Sequence, residues 1–184
     1  ATAGHKLVGV VNRDPDESPR IIHDTFVQAI NVAETNVTLI NPYLTLCPHL
    51  RRALKRALRR GVEVNIMVSA NSDIPVVEHT VHRLMKKGAK IWFFEGGFHH
   101  SKIMMVDSTF SFVGSANLNS RSLSFDYECN LLIADRPSTA QLLRLFDDDR
   151  TKHCWQLTPD TWRTKFSKGR RFQAWFFQFL TPFL

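Results

Sequence analysis

Apolar and polar positions along the chain follow two rhythms in turn. The runs KLVGVV (6–11), VTLINPYL (37–44), VEVNIMVSA (62–70) and AKIWFFE (89–95) have the length and composition of strands. Between them the spacing becomes helical. SPRIIHDTFVQAINVAET (18–35) sets apolar residues at 21, 22, 26, 29, 30 and 33, with Ser18 and Pro19 at its start. PHLRRALKRALRRG (48–61) and PVVEHTVHRLMKKG (75–88) continue the pattern, with Gly61 and Gly88 as stop signals. Ser72 and Asp73 are placed to cap the last of these helices.

This β-α-β-α-β-α-β order predicts an open sheet with helices on its faces. Beyond residue 95 the rhythm changes. SKIMMVD, FSFVGSA and YECNLLIAD read as three strands with short connections, and residues 137–184 read as mostly helical. The expected fold class is α/β, a mixed β-sheet flanked by helices on both faces, parallel in its first half and antiparallel beyond. There is no internal repeat. At 184 residues and 43% hydrophobic, residues 1–184 form a single domain with one sizeable core.

The second rhythm carries the candidate chemistry. Side chains alternate faces along a strand, so His100 and Lys102 point the same way. A tight turn at Ser108-Thr109 would set Asp107 against Phe110, Lys102 against Ser115 and His100 against Asn117. Opposed residues then lie about 5 Å apart on one face. An imidazole, an ammonium, a hydroxyl and a carboxamide converge, a set suited to the nonbridging oxygens of a phosphodiester. The imidazole can act as nucleophile, acid or base near neutral pH. Asp107 has the opposite parity, which suits holding the turn or reaching a neighbouring element.

Charge narrows the partner. The chain carries a formal net charge of +7, with a pI near 9.7, so an anionic partner is favoured. RRALKRALRR (51–60) places six cations in one stretch, first read as a solvated outer face and second as a contact for anionic lipid headgroups. It lacks the interleaved aromatics of a nucleic-acid stacking surface, and nucleic acid is the weaker candidate partner. KFSKGRRFQAWFFQFLTPFL (165–184) reads either as a core-packing helix or as an interfacial helix at a membrane surface. Cys47, Cys129 and Cys154 are odd in number and far apart, so neither a disulfide framework nor a cysteine zinc site is indicated. No apolar run reaches transmembrane length, and the start of the chain reads as a cut or processed piece of something longer.

The full string H-x-K-x4-D-x6-G-S-x-N, here His100, Lys102, Asp107, Gly114, Ser115 and Asn117, is that of the phospholipase D superfamily. RSLSFDYECNLLIAD (121–135) is similar to the segment that follows the motif there, with Glu128 at its acidic position. INPYL, RRGVEVNIMVSANSD, FDDD and the closing WFFQFLTPFL extend the likeness, so residues 6–184 resemble the C-terminal half of a bacterial cardiolipin synthase. Two departures stand out: His99 beside the motif histidine, and Asp126 where relatives carry Asn at or near that position.

The resemblance implies a phospholipase D-like α/β/α sandwich and a two-step displacement through a phosphohistidine, with no metal and no cofactor. In it His100, Lys102 and Asp107 are catalytic, Lys102, Ser115 and Asn117 bind the substrate phosphate, and Glu128 orients a histidine. Two histidines must face each other across the phosphorus, and the chain holds one motif. The second must come from an upstream domain or a homodimer mate. The implied activity is cardiolipin synthesis from phosphatidylglycerol, at the bacterial cell membrane, with the chain peripheral or anchored by a segment absent from it. The alternative is a homodimeric single-motif phosphodiesterase or endonuclease of the same superfamily.

Overall fold

Buried alternation along the strands and buried stripes along the helices sort the chain into three layers. The structure is a computed structural model and describes residues 4–71 and 75–179. Its strands are β1 (Leu7–Arg13), β2 (Asn36–Ile40), β3 (Glu63–Ser69), β4 (Lys90–Phe94), β5 (Ile103–Val106), β6 (Phe110–Gly114), β7 (Glu128–Ala134) and β8 (Cys154–Gln156). The helices are α1 (Ile21–Val32), α2 (Pro48–Arg59), α3 (Pro75–Met85), α4 (Ser120–Ser124), α5 (Arg136–His153), α6 (Pro159–Lys165) and α7 (Lys168–Phe177). All these strands join one sheet in the order β1-β7-β6-β5-β2-β3-β4-β8.

Period-two alternation gives the sheet two apolar faces. Val37, Leu39, Ile66, Phe93, Met104 and Phe112 point to one side and pack under α1, α2 and α3. Ile40, Met67 and Met105 point to the other and meet Phe146 of α5. Residues such as Leu39 and Ile66 are fully buried, each contributing roughly 1.5–3 kcal/mol. Truncating Ile66 to Ala would cost about 2–5 kcal/mol. The helices follow the same logic: α2 opens with Pro48 in its first turn, buries Leu50, Ala53, Leu54 and Ala57, and gives way to Gly61 at φ 88°.

The α/β sandwich with helices on both faces is as expected. Three features differ in detail. The strands β2, β3 and β4 are parallel, but β1 crosses to the far edge and pairs antiparallel with β7. The tail is helical except for β8, which adds antiparallel to β4. The hairpin register is shifted by one: Val106 pairs with Phe110 and Ile103 with Val113. Asp107 and Ser108 both adopt left-handed backbone, at φ 50° and 53°, and with Thr109 make a three-residue connection instead of a two-residue turn. Lys102 therefore stands opposite Gly114, whose N–H donates to the Lys102 carbonyl at 3.2 Å. The expected pairing of Asp107 with Phe110 does not form. The expected caps at Ser72 and Asp73 lie outside the described residues.

Candidate active site

The strands β2, β3, β4 and β6 run in one direction and β5 and β7 return. The loops after β2 and β6 and those before β5 and β7 therefore gather at one end of the sheet, where crevices form. His100 and Lys102 enter on the loop before β5, Ser115 and Asn117 leave β6, and Glu128 opens β7.

The His100 side chain is exposed. Its ring stacks on Phe98 at 5.5 Å and meets Tyr43 edge-on at 6.1 Å. Two residues on, the Lys102 ammonium donates to the His100 carbonyl at 2.7 Å, which holds it beside the histidine. Burial, and then the charge of Lys102, push the His100 imidazole below its ordinary value. This shift favours the neutral ring, the form that can attack or take a proton. Burial likewise lowers the Lys102 ammonium, while Glu128 acts in the raising direction.

Ser115 is fixed by the start of β7. Its hydroxyl donates to Glu128 Oε2 and accepts from the Cys129 N–H at 3.0 Å. Gly114 makes this approach feasible, since a Cβ there would meet Asn130 Oδ1 at 2.1 Å and the Cys129 carbonyl at 2.4 Å. Buried Asn130 in turn accepts from the Ala116 N–H at 3.3 Å. Asn117 directs its amide nitrogen to Ser122 Oγ at 3.4 Å, while its carbonyl oxygen is buried without a partner among the described residues. Among those residues no three His, Cys, Asp or Glu side chains cluster as metal ligands would.

Five of the six site residues thus lie at this end of the sheet, with Ser115 bonded to Glu128 and Lys102 to the His100 carbonyl. Asp107 does not join them. It sits beyond the other end of β5, on the order of 20 Å from His100 by strand rise. Its carboxylate accepts from the Glu34 N–H at 2.8 Å, the Thr35 N–H at 2.8 Å, the Thr35 hydroxyl at 2.9 Å and the Asn36 N–H at 2.9 Å. Burial acts to raise its pKa, and these bonds overcome it and hold the carboxyl below its ordinary value. That placement matches the parity reading, and makes Asp107 the anchor of the β5–β6 turn to β2. His99 also turns away: its Nε2 lies 3.4 Å from Asp149 of α5, and its ring rests edge-on against Phe94.

Sequence reasoning missed several residues that build this end. Tyr43 and Phe98 wall the imidazole. Asn41, buried after β2, accepts from the Tyr43 and Leu118 N–H groups at 3.2 and 3.4 Å. Arg13, buried at the end of β1, donates to the Pro19 carbonyl at 3.0 Å and to the Asp126 carbonyl, holding the approach to Glu128. The INPYL string was a usable signal for Asn41 and Tyr43. Arg13 had none, because its partners are backbone carbonyls, that of Asp126 being distant in sequence.

Comparison with known proteins shows the family and the fold. The family described as "Cardiolipin synthase, PLD-like domain" matches residues 26–150, more than half of the chain. Cardiolipin synthase A of Buchnera aphidicola is 31% identical over 182 residues, covering 97% of this chain and 37% of that protein. The chain therefore spans little more than a third of that relative's length. Among solved structures, the phospholipase D family member Nuc from Salmonella typhimurium superposes with a TM-score of 0.73 at 19% identity, over 83% of this chain and 99% of its own. Phosphatidylserine synthase from Haemophilus influenzae Rd KW20 does so with 0.79 at 15%, over 96% of this chain and 47% of its own.

Proposed function

We propose, on the premise that this chain belongs to the cardiolipin synthase, PLD-like domain family of the phospholipase D superfamily, that it supplies half of a phosphatidyltransfer site. The observation that carries the reading is the exposed imidazole of His100 with the Lys102 ammonium tied to its carbonyl. Lys102 would meet a nonbridging phosphate oxygen, and Ser115 and Asn117 would donate to the same group as charge develops there. Glu128, which accepts from Ser115, would set the hydroxyl's direction and hold a histidine in one tautomer.

His100 would act at one apex of an in-line displacement. As nucleophile its ring nitrogen forms a bond to phosphorus while the bond to the leaving alcohol breaks. As acid it gives that alcohol its proton and later takes one from the incoming hydroxyl. One imidazole cannot occupy both apices, so a second H-x-K motif is required. A second half, as in the proposed relation to cardiolipin synthases, would give His100 the acid–base role. The substrate would be an anionic phospholipid such as phosphatidylglycerol, reached at a bacterial membrane surface. The chain would be peripheral there or anchored by a segment outside it; among the described residues no helix is long and apolar enough to cross a membrane.

One observation favours a second reading. Nuc matches this chain over nearly its entire length, so one copy of this fold makes up that chain. Two copies of the present chain could then face each other as a phosphodiesterase, with nucleic acid as the competing substrate. Assays of the chain with its partner motif, on phosphatidylglycerol and on single-stranded DNA with EDTA present, separate the readings. Transfer on the lipid is expected, with His100→Ala and Lys102→Ala each losing at least about a hundredfold. Near-normal rates in either variant would overturn the site, and turnover of DNA alone would favour the second reading.

A further inference from the structure

Outside the His100 site, the helical face of the molecule holds a cavity of about 730 Å³. Arg51 and Lys55 of α2 and His79 and Arg83 of α3 line it, with Phe125 and Phe179. Four residues apart, Arg51 and Lys55 share one face of α2 and are half-buried, whereas Arg52, Arg56 and Arg59 are exposed. The basic helix is therefore two-sided: one set of cations meets solvent, the other a concave wall.

Arg20, also in the lining, pairs with Asp24 at 3.1 Å, but the charge that α2 and α3 bring to the wall is uncompensated. Among the described residues no Asp or Glu lines the cavity, and none of Arg51, Lys55 or Arg83 forms an ion pair. Burial, then the charge of Arg83, lowers both Arg51 and Lys55. Cations held together without a counter-charge repel one another, and an anion among them removes that cost. A phosphoryl group offers three oxygens to these donors.

The same cavity abuts an aromatic surface. From α7 onward, Phe172, Trp175, Phe176 and Phe179 are all large and exposed, at 64, 46, 53 and 63%. Arg170 fixes this helix to α3 through Glu78, at 2.7 Å from Nη2 and 2.9 Å from Nε to Oε1. Since Phe179 belongs to both surfaces, the cation cluster and the aromatic face adjoin. Basic groups beside exposed aromatics are the composition that sits at a headgroup boundary.

We propose that this cavity is a second anion site, separate from His100, which takes the phosphoryl headgroup of an anionic phospholipid while the exposed aromatics of α7 enter the bilayer interface. The proposal rests on the phospholipid reading above and deepens it. The loop joining β2 to α2 lies between the two sites: Tyr43 flanks His100, and Thr45, Leu46 and Cys47 line the cavity. A lipid held here is retained unreacted, and brings the reacting phosphate of a neighbouring lipid to the adjacent end of the sheet.

The test compares two variants of equal charge. Arg51→Ala/Lys55→Ala/Arg83→Ala empties the cavity, and Arg52→Ala/Arg56→Ala/Arg59→Ala removes three cations from the outer face. Both are checked for wild-type circular dichroism and bound to phosphatidylcholine vesicles with and without phosphatidylglycerol. The cavity variant is expected to lose at least about tenfold in affinity for the anionic vesicles, and the outer-face variant less than about threefold. Equal losses, or no loss in the cavity variant, would overturn the proposal. In titrations, dispersed short-chain phosphatidylglycerol should bind at least about tenfold more tightly than inorganic phosphate. Equal binding of free phosphate, or of a single-stranded oligonucleotide, would overturn the lipid assignment. Turnover of a water-soluble phosphodiester in the presence of the partner motif is read alongside. Its absence in wild type would count against the catalytic reading, while the vesicle comparison would still decide the cavity.

Discussion

Asp107 belongs to the motif but lies away from the other motif side chains. Its carboxylate gathers four donors from Glu34, Thr35 and Asn36, and its own backbone is left-handed. A neutral amide at this position keeps the shape, loses charge-assisted acceptance and presents a donor to donors. Asp107→Asn is expected to lower stability by about 1–3 kcal/mol while leaving the turnover of folded molecules within about threefold. Chemical denaturation and an activity assay on the same preparations check this, and a hundredfold rate loss at unchanged stability would place Asp107 in the chemistry instead. Strand parity pointed Asp107 away from His100, whereas the structure separates them by the length of β5, with Asp107 in the turn beyond it. The conformation of Ser108 was not legible, because Ser-Thr favours no particular two-residue turn and the connection is fixed by long-range bonds to β2. That single residue of extra loop moved the partner of Lys102 from Ser115 to Gly114.

At the scale of elements, strong periodicity identified the helices α1 to α3 and the strands between them. Position in the sheet was another matter. The edge place of β1 depends on pairing with β7, more than a hundred residues away, and β8 has only three residues. Neither leaves a local signature, and the same holds for Arg13, whose buried guanidinium serves β1 and the segment before β7. The packing of α3 on α6 carries a pH signature of its own. His82 stacks on Trp162 at 4.0 Å, and burial, followed by the charges of Lys86, His79 and Arg171, pushes its pKa down to about 4. Unfolded, it takes a proton near 6.5. Between these values the unfolded chain binds more protons, so this contribution is complete above pH 6.5 and fades as pH falls toward 4. His82→Phe keeps the stacking and removes the titration. The stability of the variant relative to wild type should therefore rise from pH 7 to pH 4.5 in urea melts; a constant difference would show that His82 does not titrate in this way.

For the whole molecule, the fold and the site have different degrees of completeness. The sheet has helices on both faces and its own core. The candidate site has the His100 imidazole exposed at an end of the sheet, and the proposed two-histidine displacement would need a second. That asymmetry was readable in the sequence, since the motif occurs once. The basic helix, in contrast, read first as a solvated face, because period alone does not tell which cations meet water and which line a cavity against α3.

The dependence of turnover on chain concentration tests this half-site account most directly. The rate per chain is measured on dispersed phosphatidylglycerol, with His100→Ala as the control. The account predicts a specific rate that rises in proportion to concentration as chains pair, or that stays at background until a protein carrying a second H-x-K motif is added. A constant specific rate from a chain that sediments as a monomer, lost in His100→Ala, would contradict it.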